Sequence, residues 1–564
     1  MNAASRPFTG WLDDFFASYY RHRPVNATFI GVHQYDDRLP DYSPAGIAAV
    51  RAEMASLLRQ RDDGSVAPPT TPAEATDATL ARGFLELQLW EYGSGHFVTA
   101  NPTVYTGEAI FAVIALFLRP FAPLAVRVES AVTRLHAVPA LLAQGRENVQ
   151  AAPLMWTERA IRECGGALAF LSGEIDILIA DEGITDPRLR HAADTARAAF
   201  IEHQEALRDL RAHDTVMYAC GAEAFDRYLR LGHQLTRTGA EIDTYARAQF
   251  SEARAALEAG VAAFGVADWR AALALLADHH PTADEYYARF GQVWDACHDT
   301  AMAHDLVTWP DYPLRYVPQP RWARGCAPAL YFLPYRSPAP FDHAPTVDYL
   351  VPPIDPDMPP TEQERRLRAV NDSVIKLNHV VHHGAIGHQV QNWYAFRAAS
   401  RIGQVAAVDC ASRIALFCGG MMAEGWSSYA VDLMDEAGFL TPLESYSQRY
   451  ARLRASARAI VDVNLHHGTF SLDDAVAFYR DDAGFTQDAA HAEAVKNSLY
   501  PGAAVMYLIG QDAIRDLRAE LAARAGRAGR DGKPFSLRRF HDRLLSFGSI
   551  PVTMIAAAMR AEAQ

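Results

Sequence analysis

The sequence predicts a mainly α-helical fold with one small antiparallel β element near residues 328–352. Two observations support this fold class. Through most of the 564 residues, apolar positions recur three and four apart among Arg, Glu and Asp, as they do on amphipathic helices. Between about residues 308 and 360 this period is lost, and the segment becomes rich in proline, aromatic and β-branched residues, which is typical of strands and loops.

Four long amphipathic helices are predicted in the N-terminal half, at residues 124–149, 160–180, 189–212 and 241–264. Short clusters such as Asp181-Glu182-Gly183 separate them, and no repeat of fixed period indicates a solenoid. We therefore expect residues 1–305 to form an N-terminal helical lobe.

The segment from 306 to 360 is expected to form a Pro-rich β-hairpin. Its two strands are predicted at Ala329–Tyr335 and Thr346–Val351. Pro334 suits an edge strand, where an extended substrate could pair through backbone hydrogen bonds. A hairpin with a purely structural role explains the same residues.

Helical periodicity resumes after Pro360 and continues to the end of the chain. Thr361-Glu-Gln-Glu364 resembles a capping box, and the helix that it begins is predicted to run to Phe396. Further helices are predicted at 402–437, 443–465, 503–522 and 537–547. We expect residues 361–564 to form a C-terminal helical lobe that carries the chemistry.

Composition excludes several functional classes. The 53 Lys and Arg residues against 67 Asp and Glu residues give a net charge of −14 without a block of like charge, which argues against nucleic acid as a partner. The six cysteines have no Cys-x-x-Cys spacing and predict reduced thiols. No apolar leader and no run of eighteen apolar residues is present, so we expect no membrane partner and a cytoplasmic location.

The segment from His382 to Gln391 is the strongest indication of chemistry. On a regular helix, His382 and His388 would point about 120° apart, because six residues separate them. Gly387 permits a π-bulge or local unwinding that would bring the two imidazoles to one point. Glu424 is the best candidate for a third metal ligand, although a salt-bridged helix acid is the alternative interpretation.

His383 occupies the position at which a zinc hydrolase helix normally has a glutamate that acts as general base. An imidazole can accept a proton, but it brings no negative charge and could itself bind a metal. His379 is also spaced to form a metal pair with His382 or His383, or all three could be solvated or core histidines. Gln389 and Gln391 are expected to support the ligands, since amides are weak zinc ligands.

These motifs resemble the bacterial domain-of-unknown-function family 885, in which His-Glu-x-x-x-Gly-His-x-x-Gln is followed by Glu-Gly-Trp. The similarity extends in order through four further segments, which are Arg23–Gly31, Arg458–His466, Pro501–Gly510 and Phe540–Gly548. It implies a large helical, zincin-like cleft fold of metallopeptidase type, with His382, His388 and Glu424 at the metal positions.

The resemblance also implies that His466 and Tyr507 could polarise a carbonyl or stabilise an oxyanion. Their alternative roles are a helix-end cap for His466 and a packed aromatic ring for Tyr507. Two departures from the family pattern stand out. His383 replaces the motif glutamate, and Lys496-Asn497 stands where the family usually has Arg-Tyr.

The sequence therefore predicts an enzyme that holds one divalent ion, most simply zinc, because two imidazoles and a carboxylate suit zinc better than magnesium or calcium. We expect a hydrolase acting on a small amide, an ester or a short peptide, with His383, His466 and Tyr507 as catalytic candidates. The altered base predicts weak activity on ordinary peptides. The alternatives are a metal-dependent lyase, cyclase or isomerase of a small metabolite, and a non-catalytic ligand-binding relative.

Overall fold

Helices account for most of the residues that the computed structural model describes, which are 5–213, 217–330, 339–355, 357–407, 412–528 and 535–563. Two small sheets of two strands each complete the described secondary structure. The predicted mainly α fold is confirmed. The chain divides into two units, one of residues 1–218 with 319–344 and the other of residues 219–318 with 345–564. This division does not coincide with the segments 1–305, 306–360 and 361–564 expected above.

The first unit contains nine α-helices among its described residues, together with short 3₁₀ and π segments. They are α1 (Phe8–His22), α2 (Pro24–Ile30), α3 (Pro44–Asp62), α4 (Pro72–Glu91), α5 (Thr103–Ile114), α6 (Leu124–Asn148), α7 (Leu154–Ala169), α8 (Ile175–Glu182) and α9 (Pro187–Arg208). Ser43, Thr71 and Asp186 cap α3, α4 and α9 with their side chains, each before a proline that suits the first helical position. Strands β1 (Ala151–Ala152) and β2 (Arg211–Ala212) pair in parallel. The helices predicted at 124–149 and 189–212 correspond to α6 and α9.

The second unit begins with α10 (Ala222–Leu231), α11 (Gly239–Gly260), α12 (Trp269–Ala274), α13 (Tyr286–Ala303), β3 (Leu314–Pro318), β4 (Val347–Val351) and α14 (Pro360–Ala369). A π-helix (Val374–Gly384), α15 (His388–Ala395) and α16 (Arg401–Val405) follow. The remaining α-helices are α17 (Gly420–Glu436), α18 (Pro442–His467), α19 (Leu472–Ala477), α20 (Gln487–Leu499), α21 (Val505–Ala528), α22 (Leu537–Ser546) and α23 (Val552–Glu562). Two short π-helices, Ala415–Gly419 and Phe478–Asp482, lie among them. Capping boxes at Thr238 and Thr441 begin α11 and α18, which pack along each other.

The β element differs from its prediction. The strand predicted at 346–351 is present as β4, but it pairs with β3 in parallel register, Leu314 opposite Val347 and Pro318 opposite Val351. The antiparallel pairing near 328–352 was therefore wrong for the strands that the structure describes. Ala329 and Leu330 lie in a turn, and the rest of the predicted first strand, with Pro334, lies outside the described residues.

The single helix predicted from Thr361 to Phe396 is instead three helical segments. The first, α14, begins at Pro360, a residue that suits the first helical position, and Pro359 before it provides no side-chain cap. The chain then leaves helical geometry between α14 and the π-helix and again at Ala385. The second interruption forms the candidate site described below.

The cysteines and the apolar helices can also be compared with the sequence. Cys164, Cys220, Cys297, Cys326 and Cys418 form no disulfide among the described residues, as predicted, and Cys410 lies outside those residues. No single helix in the described ranges is long and apolar enough to cross a membrane. One bent pair, Gly239–Phe264 with Trp269–Asp278, meets that requirement by length and composition.

Candidate metal centre

A break in the helix brings the motif histidines together. His382 and His383 lie at the end of the π-helix, and α15 begins at His388. Between them Ala385 adopts φ −131° and ψ −117°, and the Gly387 amide donates to the carbonyl of Val381 at 2.9 Å. The ring centroids of His382 and His388 are consequently 5.0 Å apart. The local unwinding predicted beside Gly387 is present.

Gly387 is required for this close turn. A Cβ atom at position 387 would lie 1.9 Å from the carbonyl oxygen of His382 and 2.6 Å from that of Val381. Both are backbone atoms, so neither can move without displacing the π-helix. The geometry thus explains why a glycine immediately precedes His388.

Glu424 approaches the two histidines from α17. Its Oε2 atom lies 3.4 Å from Nε2 of His382 and 3.9 Å from Nε2 of His388. The residue is 4% exposed, and this oxygen has no hydrogen-bond donor within the described residues. A buried carboxylate oxygen without a donor is costly unless a cation satisfies it.

Trp426 holds α17 against the helix break. Its indole Nε1–H donates to the carbonyls of Ile386 and Gly387 at 2.9 and 3.2 Å. The ring is fully buried, so the contact is shielded from water. Because Glu424 and Trp426 share one helix, this indole also sets the position of the carboxylate.

Hydrogen bonding fixes the tautomer of His388. Nδ1 lies 3.4 Å from Oε1 of Gln391, and the Gln391 amide nitrogen donates to the Ser549 hydroxyl at 2.5 Å. An amide oxygen only accepts, so the proton resides on Nδ1 and the lone pair of Nε2 faces Glu424. Ser427, which donates to the carbonyl of Ala423 at 2.8 Å, lies 3.3 Å from Nε2.

His383 belongs to the same cluster. One ring nitrogen from each of His382, His383 and His388 lies within 4.8 Å of the others. Nδ1 of His383 is 2.8 Å from the carbonyl oxygen of Asn378, which can only accept. The proton therefore resides on Nδ1, and Nε2 is the basic nitrogen. His383 is partly exposed.

His379 lies outside the three-histidine cluster. Its Nδ1 atom is 2.9 Å from the hydroxyl of Tyr349 on β4, and Tyr316 on β3 donates to its backbone carbonyl at 3.0 Å. Burial lowers the pKa of His379 to about 4, so the ring is neutral at ordinary pH. His379 thus links the π-helix to the small sheet. Sequence patterns did not reveal this role for the two tyrosines, because the β3–β4 pairing is non-local.

His466 lies in the core of the second unit. Its side chain is fully buried, Nε2 lies 2.9 Å from the backbone carbonyl of Asn497, and the ring stacks on Phe225 at 5.9 Å. A ring enclosed in this way has no face to offer a substrate. We therefore give His466 a structural role and do not carry its predicted catalytic role forward.

The helix that carries Tyr507 packs closely against α17. A Cβ on Gly425 would lie 2.5 Å from the carbonyl carbon of Gly510, and one on Gly420 would lie 2.5 Å from Sδ of Met506. Gly420, near the start of α17, thus contacts Met506, near the start of α21, and Gly425 contacts the later residue Gly510. The two helices therefore run in parallel.

Glu424 lies between the two contact residues Gly420 and Gly425 of α17. Tyr507 follows the contact residue Met506 by one position, a rotation of about 100° away from the contact with α17. Tyr507 is partly exposed.

Two solved structures share this fold. One is a proposed lipoprotein of unknown function from Shewanella oneidensis, with 22% identity, a TM-score of 0.75 and coverage of 99% of this chain and 100% of that one. The other is a proposed lipoprotein from Colwellia psychrerythraea, with 15% identity, a TM-score of 0.73 and coverage of 99% of both chains. At these identities the similarity establishes the fold alone.

No curated protein matches the sequence. The model of the bacterial proteins of unknown function DUF885 matches residues 24–559, which is nearly the whole chain and includes every residue of the candidate metal centre. The chain belongs to the DUF885 family.

Proposed function

We propose that the chain is a metal-dependent hydrolase of small amides, esters or short peptides, with one zinc ion held by His382, His388 and Glu424. A single observation supports this most strongly. The Oε2 atom of Glu424 is buried without a hydrogen-bond donor in the described part of the chain, yet it lies within 4 Å of two imidazole Nε2 atoms. One cation at that point would satisfy all three groups.

The donor set fits zinc. Two neutral imidazoles and one carboxylate form a three-ligand set used by zinc hydrolases. The side-chain amide of Gln391 contacts Nδ1 of His388, the nitrogen that would not bind the metal, and so orients the ring. A zinc ion held there would act as a Lewis acid toward a carbonyl oxygen and would lower the pKa of water.

Side chains of the protein would carry out the proton transfer and stabilise the oxyanion. Nε2 of His383 is the basic nitrogen and takes the proton from the attacking water molecule, while the Asn378 carbonyl stabilises the imidazolium through Nδ1–H. Tyr507 donates its hydroxyl hydrogen toward the developing negative charge on the substrate oxygen. A neutral imidazole lacks the negative charge of a glutamate, so turnover of ordinary peptides is slow.

A second candidate function has one observation in its favour. The fixed Nδ1–H tautomer of His383 makes Nε2 a base for a single proton, which also suits a lyase, cyclase or isomerase acting beside a polarised carbonyl. Product analysis separates the two functions, because only a hydrolase consumes water.

Zinc content tests the proposal. Protein purified without chelator should contain one equivalent of zinc by elemental analysis, and His388→Ala and Glu424→Gln should contain much less. Glu436→Gln is the matched control, because Glu436 lies on the same helix but is paired at the surface with Arg518. Equal zinc in the parent and in the two site variants would refute the assignment.

A further inference from the structure

Aromatic rings form a patch on the surface of the second unit. Trp294 and His298 lie one turn apart on α13, with ring centroids 5.7 Å apart and ring planes inclined by 6°. The ring of Trp309 stands nearly perpendicular to both, at 5.7 Å from Trp294 and 4.9 Å from His298. All three rings are partly exposed, and Met302, one turn beyond His298, is 50% exposed. We call these four residues the aromatic patch.

Acidic side chains border the aromatic patch. Asp295 and Asp299 lie on the same exposed face of α13 as His298, within about 100° of the helix circumference. Asp295 is exposed and has no ion pair within the described part of the chain. The side chain of Asp299 is 82% exposed, and its Oδ1 atom lies 3.1 Å from Nδ1 of His298. No Lys or Arg occurs between Gly291 and Pro313, so no cation of this segment balances the two carboxylates.

This combination of rings and carboxylates fits a cationic group on an apolar chain. The face of an indole ring attracts a cation through its quadrupole, and a nearby carboxylate stabilises the same cation further. The methylene groups of an arginine or lysine side chain would cover Met302 and the rings, and would so bury apolar surface. A neutral ligand would gain nothing from Asp295 and Asp299, and an anion would be repelled.

Trp294 connects the aromatic patch to the π-helix. Its Nε1–H donates to the carbonyl of Gly384 at 2.7 Å, and Gly384 directly follows His383. Consecutive Cα atoms are about 3.8 Å apart, so the indole nitrogen lies within roughly 10 Å of the His383 backbone. An extended peptide covers this distance with about three residues. A side chain on the patch and a bond cleaved at the metal centre can therefore belong to one short peptide.

Gln389 connects the same surface to α15. Its side-chain amide nitrogen donates to the carbonyl of Tyr312 at 3.0 Å, three residues after Trp309. Gln389 is 3% exposed and directly follows His388, the first residue of α15. The aromatic patch is therefore fixed to the backbone on both sides of the helix break.

We propose that the aromatic patch binds the arginine or lysine side chain of a short peptide, which makes basic peptides the substrate class. This inference rests on the proposed hydrolase for its reaction, whereas binding itself requires only the patch and its two carboxylates. Trp294 and Trp309 provide the ring faces, and Asp299 provides negative charge.

Calorimetric titration with matched peptides tests the aromatic patch. Citrulline replaces the guanidinium of arginine by a neutral urea group of nearly the same shape. The zinc-loaded parent should bind Ala-Arg-Ala at least about fivefold more tightly than Ala-citrulline-Ala. Trp309→Leu, which removes a ring face, and Asp299→Asn, which removes a charge, should each reduce this ratio to below about twofold. Trp309→Phe should retain most of the preference.

Trp393→Leu is the matched control. The Trp393 ring is also partly exposed, but the guanidinium carbon of Arg397 already lies 4.3 Å from its centroid, so this variant should keep the preference of the parent. Equal binding of the two peptides by the parent would overturn the proposal, and so would a preference that neither Trp309→Leu nor Asp299→Asn reduces. Asp299→Asn changes a side chain that is 82% exposed, so it decides the question if Trp309→Leu does not fold.

The same titration on chelator-treated protein separates this inference from the proposed function. A preference for arginine that depends on Trp309 and persists without zinc supports the aromatic patch, even if the zinc analysis of His388→Ala and Glu424→Gln refutes the metal assignment. Equal binding of the two peptides by a parent that contains one equivalent of zinc removes the patch and leaves the metal assignment in place.

Discussion

Oε2 of Glu424 and Nε2 of His382 lie 3.4 Å apart, although the two residues belong to different helices of the second unit. Neither atom is placed by local sequence alone. The interruption at Gly387 turns His388 toward His382, and the indole of Trp426 holds α17 against that interruption. The geometry of the candidate site therefore depends on the packing of the backbone as well as on the three candidate metal-binding side chains.

Gly387→Ala should lower both metal content and stability. The new methyl group would lie 1.9 Å from the His382 carbonyl oxygen, so the π-helix must shift at a cost of about 1–3 kcal/mol, and the histidines must separate. Thermal unfolding and zinc analysis measure the two effects. Gly291→Ala, in α13 with no atom near the added Cβ, is the control and should not destabilise the protein. Unchanged zinc content in Gly387→Ala would contradict this account of the break.

His383→Glu should raise the hydrolysis of short peptides by about a hundredfold, because a carboxylate base replaces a neutral imidazole. Zinc content should stay the same if His383 is the base and fall if it is a ligand. The kcat of the parent and the variant on one peptide gives the answer. Efficient cleavage by the parent, with no gain in the variant, would exclude the altered-base interpretation.

Tyr507→Phe should reduce turnover of the true substrate about a hundredfold, which corresponds to the loss of one donor to the developing oxyanion. The melting temperature should change little, since Tyr507 is only partly buried. Tyr245→Phe is a useful control, because that hydroxyl donates to Asp512 instead. Equal kcat for parent and Tyr507→Phe would remove the phenol from the mechanism.

His33 should make the first unit less stable as pH rises. Burial alone lowers the pKa of His33, but hydrogen bonds to Asp342 at 2.7 Å and Asp36 at 2.9 Å outweigh it and raise the pKa to about 9. The stabilisation is complete below the unfolded pKa of 6.5 and is lost as pH rises toward 9. Solvent screening leaves an effect on the order of 1 kcal/mol.

The measurement is thermal unfolding between pH 6 and pH 10 for the parent and for His33→Gln. The variant should be less stable at pH 6, and its disadvantage should vanish near pH 9.5. His136→Gln removes an exposed histidine of α6 and should follow the parent throughout. A disadvantage that is constant with pH would mean that packing, rather than charge, accounts for the role of His33.

Local patterns determined much of the architecture. The period of apolar residues was enough to predict helices such as α6 and α18, because a helix is stabilised by contacts three and four residues apart. The convergence of His382 and His388 was also predictable from the sequence, since Gly387 is the residue type that permits such a turn.

Contacts between distant segments decided the rest. Parallel pairing of β4 with β3, the burial of His466 and the hydrogen bond from Trp294 to Gly384 involve residues far apart in the chain. Most helical segments, and the residue types that could bind a metal, were evident from the sequence. Which of those residues meet depends on the tertiary fold, because strand partners and helix faces are selected by the free energy of packing between elements, which no local pattern records.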